Sequence, residues 1–314
     1  MSLHSLNQLA KEGAARLGTG PHPNRAVQDA TLLLTHLIGR NKTWFLAHRD
    51  DELPLDQAVL FDTLIKRRLA GEPIQYITGQ TEFYGLPFRV NSAVLIPRPE
   101  TEHLVEQVLK RAAQLRVPQV PSGTWEANAL NSPGTEPPAT RVPPLRILDI
   151  GTGSGCIAVA LAHHLPQASI TAIDLSPDAL ALARQNATLN AVADRIRFLH
   201  GDLLAPVTGE QFDLIVSNPP YVPTPDRASL SIEVRDHEPA LALFAGNDGL
   251  DIYRRLIPAA HAALTPGGFL LLEIGYGQQP AVTALLATTG FQSIQTFPDL
   301  QGIPRVLSAQ RGHS

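Results

Sequence analysis

The fold of this chain is decided by one stretch near its middle, which runs from Arg146 to Gly155 and reads Arg-Ile-Leu-Asp-Ile-Gly-Thr-Gly-Ser-Gly. The apolar half predicts a buried strand, and the glycines predict a tight turn that leads into a helix over 156–164. In open α/β sheets, ligands bind outside the carboxyl ends of the strands, which is where this turn is expected to lie.

Strands and helices alternate from this stretch onward. Further strands are predicted at 169–173, 196–199, 212–216, 269–274, 291–297 and 305–309. Further helices are predicted at 179–190, 250–264 and 279–288. The alternation predicts an α/β fold with a doubly wound, mostly parallel sheet that carries helices on both faces.

The first 95 residues have a different pattern. Apolar residues at helical spacing predict three helices: one over 5–16, one that begins after a cap at Asn24, and one over 55–70 that ends at Gly71. Residues 1–71 are therefore expected to form a small helical bundle. Its expected role is packing or the docking of a partner. β-prone pieces at 74–79, 81–85 and 87–90 predict a β-hairpin linker over 72–95.

Residues 96–314 are expected to form the ligand-binding domain. Prolines and acidic residues over 96–102 suit a helix start, and that helix is predicted to end near Leu115. The next segment, 117–144, is rich in proline and poor in large apolar residues, which predicts an inserted surface loop.

Composition excludes several classes of protein. The net charge of −4 gives no global basic signature for nucleic acid, and the single Cys156 excludes an internal disulfide. No Cys/His cluster has zinc-ligand spacing, and no apolar run is long enough for a membrane helix, so neither a metal nor a membrane partner is expected. The N-terminus lacks a signal-peptide core, so the cytoplasm is the expected location.

Asp174 supports the interpretation of the glycine turn as part of a cofactor site, because it ends the next predicted strand, 23 residues after Gly151. An acid there can accept hydrogen bonds from ribose hydroxyls. The glycine spacing lacks the third glycine of a dinucleotide loop, and no Gly-Lys-Ser/Thr follows to make a P-loop. Asp149 would repel a pyrophosphate but suits a ligand with cationic groups.

S-adenosylmethionine carries a sulfonium and an amino group, and an acid before alternating glycines is the usual signature of the fold that binds it. We therefore predict that it binds here, with S-adenosylhomocysteine as the product. The predicted contacts in the turn and beside it are Gly151, Thr152, Gly153, Ser154, Gly155 and Asp174.

A third contact is predicted after the strand over 196–199. Asp202 would face the adenine amino group, and Leu203 would cover the ring. The alternative is an aspartate that only turns a loop.

The predicted strand over 212–216 leads into Ser217-Asn218-Pro219-Pro220-Tyr221. Each proline fixes its own φ and lacks an N–H, and the residue before a proline is pushed toward extended geometry. The result is a stiff loop with bare carbonyls and one amide side chain, which suits the binding of a small planar NH₂ group.

With the glycine turn, this loop resembles those of the amino-methyltransferases, which methylate planar NH₂ groups on nucleobases or glutamine. Ile-Pro-Arg-Pro-Glu-Thr-Glu at 96–102, Glu-Pro-Ile-Gln-Tyr-Ile-Thr-Gly at 72–79 and the helical bundle narrow the resemblance to the release factor glutamine methyltransferases, the HemK/PrmC family. The resemblance covers the chain outside 117–144 and implies a Rossmann-like class I methyltransferase fold with a seven-stranded sheet.

The resemblance implies methylation of the side-chain N5 of the glutamine in the Gly-Gly-Gln loop of class-one release factors, which would be the partners, without stable binding of nucleic acid. Asn218 would contact both cofactor and substrate, and Pro219, Pro220 and Tyr221 would line the glutamine pocket. Some members place a tryptophan where this chain has Leu203, so the adenine contact would here be aliphatic. The segment with Arg98, Glu100 and Thr101 lies by the cofactor cleft in the family, and otherwise reads as a helix start alone.

Two alternatives remain at this point. The first is a nucleic-acid amino-methyltransferase, which would use the same loop but would need a basic groove to bind its substrate. The basic run Lys66-Arg67-Arg68 is more simply explained as a solvent-exposed helix face. A non-catalytic protein that binds S-adenosylmethionine is the second, and it has no evident use for an intact Asn-Pro-Pro-Tyr loop.

Overall fold

The computed structural model describes residues 5–116 and 144–313. The helices in this part of the chain are α1 Leu6–Leu17, α2 Ala26–Leu37, α3 Lys42–Ala47, α4 Leu55–Leu69, α5 Ile74–Thr78, α6 Pro99–Arg116, α7 Cys156–His164, α8 Pro177–Leu189, α9 Ile232–His237, α10 Asp251–Ala263 and α11 Gln279–Thr289. The strands are β1 Gln80–Phe83, β2 Leu86–Arg89, β3 Arg146–Ile150, β4 Ser169–Asp174, β5 Ile196–His200, β6 Phe212–Ser217, β7 Leu264–Glu273, β8 Gln292–Pro298 and β9 Pro304–Gln310.

The chain forms two compact units, each made from two segments. The first contains residues 1–97 and 220–250, and the second contains residues 98–219 and 251–314. The predicted boundaries at 71 and 95 stay a prediction. The predicted inserted loop lies, from 117 to 143, outside the described residues.

The N-terminal helices of the first unit form because their apolar stripes meet in one core, in which Leu33, Leu34 and Ile65 are fully buried. The predicted cap at Asn24 is wrong. A short 3₁₀ turn over 23–25 precedes α2, and Arg25 stands at the cap position without a side-chain hydrogen bond. The predicted stop at Gly71 is confirmed, because this residue follows α4 with a φ of 89°.

The segment before the hairpin also differs from its prediction. Residues 74–78 were expected to be extended but form α5, which buries Ile74, Tyr76 and Ile77 and ends at Gly79 in the left-handed region. Burial of these side chains outweighs their β propensity. The hairpin itself is confirmed, with β1 antiparallel to β2 across a turn whose central residues, Tyr84 and Gly85, both have positive φ.

The segment 220–250 completes the first unit. The buried guanidinium of Arg68 in α4 donates to Asp29 at 2.8 Å and also pairs with Glu233 of α9. Beside it, a Cβ on Gly71 would lie 3.0 Å from Ile232, so the two segments pack closely. A buried arginine of this kind depends on both of its carboxylate partners.

The second unit is built on a seven-stranded sheet with the order β5-β4-β3-β6-β7-β9-β8. The first five strands in this order are parallel, and β9 runs antiparallel to both β7 and β8. Central residues such as Leu148, Ile215 and Leu271 are fully buried, as expected for strands covered by helices on both faces. The predicted mostly parallel, doubly wound sheet is confirmed. Among the described residues, no helix is long and apolar enough to cross a bilayer.

Candidate active site

The predicted cofactor residues of the second unit lie at the carboxyl ends of neighbouring parallel strands. The glycine turn follows β3, Asp174 ends β4, and Asp202 follows β5. The amides of Gly151 and Thr152 donate to the carbonyl of Ile173 at 2.9 and 3.0 Å. The amide of Gly201 donates to the Asp174 carbonyl at 3.0 Å, so three consecutive loops are joined at one edge of the sheet.

Two glycines of the turn have different physical roles. A Cβ on Gly155 would lie 3.1 Å from the Cβ of Ala183, so this glycine lets the turn pack against α8. A Cβ on Gly151 would meet no heavy atom within 4 Å, so one side of the turn is open. Both residues have a positive φ, which favours glycine.

Asp149 is fully buried beneath this turn. Its Oδ2 accepts a hydrogen bond from the Thr152 hydroxyl at 2.6 Å, whereas its Oδ1 has no hydrogen-bond partner in the described residues. Burial raises the pKa of Asp149 to about 7, and the charge of Asp174 acts in the same direction, while Thr152 and, more weakly, the Ala158 amide oppose it. A buried carboxylate oxygen without a donor fits a ligand that brings a cationic group.

Asp174 ties the glycine turn to its own strand. Its Oδ2 accepts from the Gly153 amide at 2.7 Å, and its Oδ1 accepts from the Ser176 amide at 2.8 Å. Burial raises its pKa, and these amides oppose the rise. Because each carboxylate oxygen has two acceptor positions, these bonds leave acceptor capacity for ligand hydroxyls.

The loop after β5 differs from expectation in one respect. Asp202 forms an ion pair with Arg255 of α10, a partner that the sequence did not reveal. Leu203 adopts the left-handed region at a φ of 49°, which is uncommon for a residue with a Cβ. The structure therefore places both residues beside Asp174 through Gly201, with the Asp202 carboxylate already paired.

Asn218 follows β6 and is held by its amide nitrogen. Its Nδ2 donates to the Thr101 hydroxyl oxygen at 3.1 Å, and that hydroxyl donates to Oε2 of Glu273 at 2.7 Å. Pro219 is buried next to it in the sequence. Thr101, in the first turn of α6, was expected on residue pattern to be part of a helix start, and the structure joins it to Asn218.

The same hydrogen-bonded group contains Glu273, which was not among the residues predicted from the sequence. It ends β7, is 3% exposed, and has its pKa raised to about 7 by burial, with Glu100 acting in the same direction. Thr101, Arg305 and Asn218 oppose this rise. The available signal was an acid at the end of the apolar strand Phe269–Leu272, because parallel strands carry ligand groups at that end.

The other half of the Asn-Pro-Pro-Tyr loop belongs to the first unit, which contains Pro220 and Tyr221. Both are half-buried. The chain that follows is anchored, because the Val222 amide donates to the Leu243 carbonyl at 2.8 Å and its own carbonyl accepts from Ala245 at 3.0 Å. The predicted roles of Pro220 and Tyr221 stay predictions.

Residues 5–116 and 144–313 show neither a metal-binding group nor a reactive thiol. These residues contain no group of three His, Cys, Asp or Glu side chains placed to hold a metal ion. Burial raises the pKa of Cys156 to about 12, with the charges of Asp149 and Glu273 adding to the effect. A thiol of this kind is a packing group rather than a nucleophile.

Comparison with known proteins shows the class of protein to which this fold belongs. Residues 139–232 match the family model of the methyltransferase small domain. The hMettl16 catalytic domain, solved in complex with the MAT2A 3′UTR hairpin 6, shares the fold with a TM-score of 0.53 at 16% identity over 82% of each chain. The fold is that of a Rossmann-like class I methyltransferase, as predicted.

The particular family follows from the rest of the chain. Residues 8–79 match the PrmC N-terminal domain. A release factor glutamine methyltransferase of Deinococcus radiodurans is 41% identical over 98% of both chains, and one of Geobacter sulfurreducens is 40% identical over 92% of both. The chain belongs to the release factor glutamine methyltransferase family. The predictions of fold, family and enzyme class are confirmed.

Proposed function

We propose that this enzyme transfers a methyl group from S-adenosylmethionine to the side-chain N5 of the glutamine in the Gly-Gly-Gln loop of class-one peptide chain release factors. Family membership supports the acceptor, because relatives that span nearly the whole chain are named for it. The geometric support is the amide of Asn218, whose NH₂ group is bound to Thr101. Its other end, Oδ1, is then the end that can accept a substrate N–H.

The residues around the glycine turn fit S-adenosylmethionine. Asp149 Oδ1 is buried without a hydrogen-bond partner in the described residues, and the turn is open at Gly151. The positive charge of the cofactor would stabilise the buried carboxylate of Asp149 from the other side of the turn, and its ribose hydroxyls would use the remaining acceptor positions of Asp174. Thr152, Gly153, Ser154 and Gly155 are proposed to line the same contact surface. When bound, the cofactor supplies a methyl group on a positively charged sulfur.

The acceptor residues act on a weak nucleophile, because the lone pair of a glutamine amide nitrogen is delocalised into its carbonyl. Asn218 Oδ1 and the Pro219 carbonyl each accept one N–H of the target, which holds the nitrogen in line for methyl transfer. The same oxygens stabilise the positive charge that develops on the nitrogen. The proton leaves after transfer, so no strong base is needed.

The remaining contacts rest on resemblance to the family. Pro220 and Tyr221 are proposed to contact the glutamine side chain, with Tyr221 stacking on the planar amide. Leu203 is proposed to cover the adenine ring, and Asp202 to bind its amino group once it is released from Arg255. Residues 1–71 are proposed as the docking module, 72–95 as the linker and 96–314 as the catalytic domain.

The test is transfer of labelled methyl groups to three acceptors: a class-one release factor, the same factor with Gln→Ala in its Gly-Gly-Gln loop, and ribosomal RNA. Label is expected on the first alone. Label on the RNA, or undiminished label on the Gln→Ala factor, would reject the proposed acceptor.

An Asn218→Ala variant tests the proposed role of the amide. The single-turnover rate of methyl transfer should fall by roughly a hundred- to a thousandfold, as for loss of one preorganised hydrogen-bonding group, to a residual rate that can still be followed. The affinity for S-adenosylmethionine should remain close to that of the wild type, because Asp149 and Asp174 are untouched. Single-turnover transfer at the normal rate in this variant would show that Asn218 does not hold the acceptor.

A further inference from the structure

The proposed reaction depends on which end of the Asn218 amide faces the acceptor. The oxygen and nitrogen ends of an asparagine side chain have nearly the same shape, but one accepts hydrogen bonds and the other donates them. If the amide turned over, two N–H groups would face the substrate N–H groups, and the glutamine amide would not be held in position for methyl transfer. Something in the protein has to fix the orientation.

The buried contacts of Asn218 supply that direction. An ionised carboxylate can only accept hydrogen bonds, so the single hydroxyl hydrogen of Thr101 is used in the hydrogen bond that it donates to Glu273. The hydroxyl oxygen can then only accept from Asn218, which its NH₂ end can satisfy and its Oδ1 end cannot. Thr101 and Glu273 are 2% and 3% exposed, so water cannot easily replace either partner.

We infer that Glu273 and Thr101 are positioning residues, which fix the Asn218 amide with its NH₂ inward and its Oδ1 toward the acceptor. The inference rests on the proposed function and deepens it. Neither residue touches the acceptor in this scheme, since both act through Asn218.

The far end of this chain of hydrogen bonds is rigidly placed. Glu273 is paired with Val306 in the sheet, and its carbonyl accepts a hydrogen bond from the hydroxyl of the fully buried Tyr253 at 2.7 Å. The next amide, that of Ile274, donates to the Arg305 carbonyl at 2.9 Å. The backbone at Glu273 is therefore held from two sides.

The charge on Glu273 gives the arrangement a pH dependence. A protonated Glu273 becomes a donor, which frees the Thr101 hydroxyl from donating to it and removes the preference for the NH₂ end of Asn218. The pKa of about 7 puts this change near neutrality. Of the other groups that act on Glu273, Arg305 favours the charge and Glu100 opposes it, while Cys156, with its pKa of about 12, stays neutral.

The experiment compares Thr101→Val, which removes the hydroxyl at constant shape, with Thr101→Ser, which keeps it. Single-turnover methylation of a class-one release factor is measured at saturating S-adenosylmethionine. The rate should fall about tenfold or more in T101V, as for loss of one buried hydrogen bond, and should return to within about threefold of wild type in T101S. Cofactor affinity and the KM for the release factor should change little.

A double-variant cycle shows whether Thr101 acts through Asn218. T101V should slow an Asn218→Ala enzyme by less than about twofold, because the amide that it orients is already gone. An equal loss in both backgrounds would overturn the inference. So would a fall in cofactor affinity as large as the fall in rate, because Thr101 would then act on the cofactor.

Glu273→Gln is a second variant of the same size. A glutamine can either accept from or donate to Thr101, so the rate should fall, and its decline below pH 7 in the wild type should flatten. A wild-type pH profile retained in E273Q would assign the titration to another group and overturn this part of the inference.

A readout on the free protein separates this inference from the proposed function. The side-chain amide of Asn218, labelled with ¹⁵N-asparagine and assigned by its absence in Asn218→Ala, should shift and exchange faster in T101V than in T101S. Unchanged signals would overturn the inference even if the release factor is methylated. Changed signals with no methylation by the wild type would reject the proposed acceptor alone.

Discussion

The ends of β3 and β7 carry the same kind of group in two different settings. Asp149 and Glu273 are both buried carboxyls, and burial raises the pKa of each to about 7. Asp149 keeps one oxygen without a hydrogen-bond partner in the described residues. Glu273 is instead the end of a hydrogen-bonded chain that reaches Asn218 through Thr101.

The difference in hydrogen bonding between Asp149 and Glu273 suits the two carboxyls to different roles. A buried carboxylate is unfavourable unless donors or a cation compensate its charge. We propose that Glu273, whose carboxylate accepts from the Thr101 hydroxyl, serves to orient an amide within the protein. We propose that Asp149, one oxygen of which has no hydrogen-bond partner in the described residues, serves ligand binding, because a cationic ligand would compensate its charge. Two carboxyls with the same raised pKa would then have different roles at β7 and β3.

The largest expected effect that separates them is on cofactor affinity. Asp149→Asn should weaken S-adenosylmethionine binding by roughly a hundredfold, in the range for loss of one partner of a buried charge pair. Glu273→Gln should change it by less than about threefold, because its effect passes through Asn218. Isothermal titration calorimetry measures both affinities, and a comparable loss in the two variants would show that Asp149 and Glu273 do not differ in their effect on the cofactor.

The pH dependence of cofactor binding gives the next effect. A cationic ligand favours ionised Asp149, so below pH 7 binding must first release its proton. Affinity in the wild type should therefore fall by up to about tenfold per pH unit below that point, and should be flat in D149N. Calorimetry in buffers of different ionisation enthalpy measures the proton released. An unchanged release in D149N would assign it to another group.

The stability of the ligand-free protein should show a smaller effect of the opposite sign. A carboxyl with a raised folded pKa stabilises the fold below about pH 4, where both states hold the proton, and loses that contribution as the pH rises to about 7. Relative to D149N, the wild type should lose up to about 1 kcal/mol of unfolding free energy per pH unit between pH 5 and 7. Urea denaturation followed by circular dichroism tests this, and a gain over that range would contradict it.

The smallest effect is expected at Cys156, whose pKa is raised by both charges but mainly by burial. Labelling of this single cysteine in the folded protein should stay slow and should rise by no more than about threefold in D149N or E273Q, because the thiol remains buried. A thiol-reactive dye measures it. A large increase in one variant would show that its charge, rather than burial, controls the thiol.

The sequence revealed the residues whose place depends on local pattern. The glycine turn, Asp174 and Asn218 follow predicted strands, and parallel strands bring such ends together whatever the side chains do. It did not reveal the pairings that depend on tertiary distance. Glu273 lies 172 residues from Thr101, and Asp202 lies 53 residues from Arg255. The sequence around each residue therefore gives no indication of which distant residue it will contact.

Errors in local structure have a similar origin. Residues 74–78 contain β-prone side chains, yet they form a helix because this conformation buries the apolar side chains in the first unit. Asn24 is a good capping residue, but a 3₁₀ turn moves the helix start beyond its reach. In both cases a weak local preference yields to packing that involves distant parts of the chain.

The return of residues 220–250 to the first unit has a consequence for the order of events during synthesis. The bundle residues leave the ribosome first, but Glu233, the second partner of buried Arg68, follows 165 residues after it. At about 5–20 residues per second, that wait is roughly 8–33 s. During it the nascent bundle holds an arginine with half of its final charge compensation, so the N-terminal part of the enzyme is completed late, by a segment translated after most of the catalytic sheet.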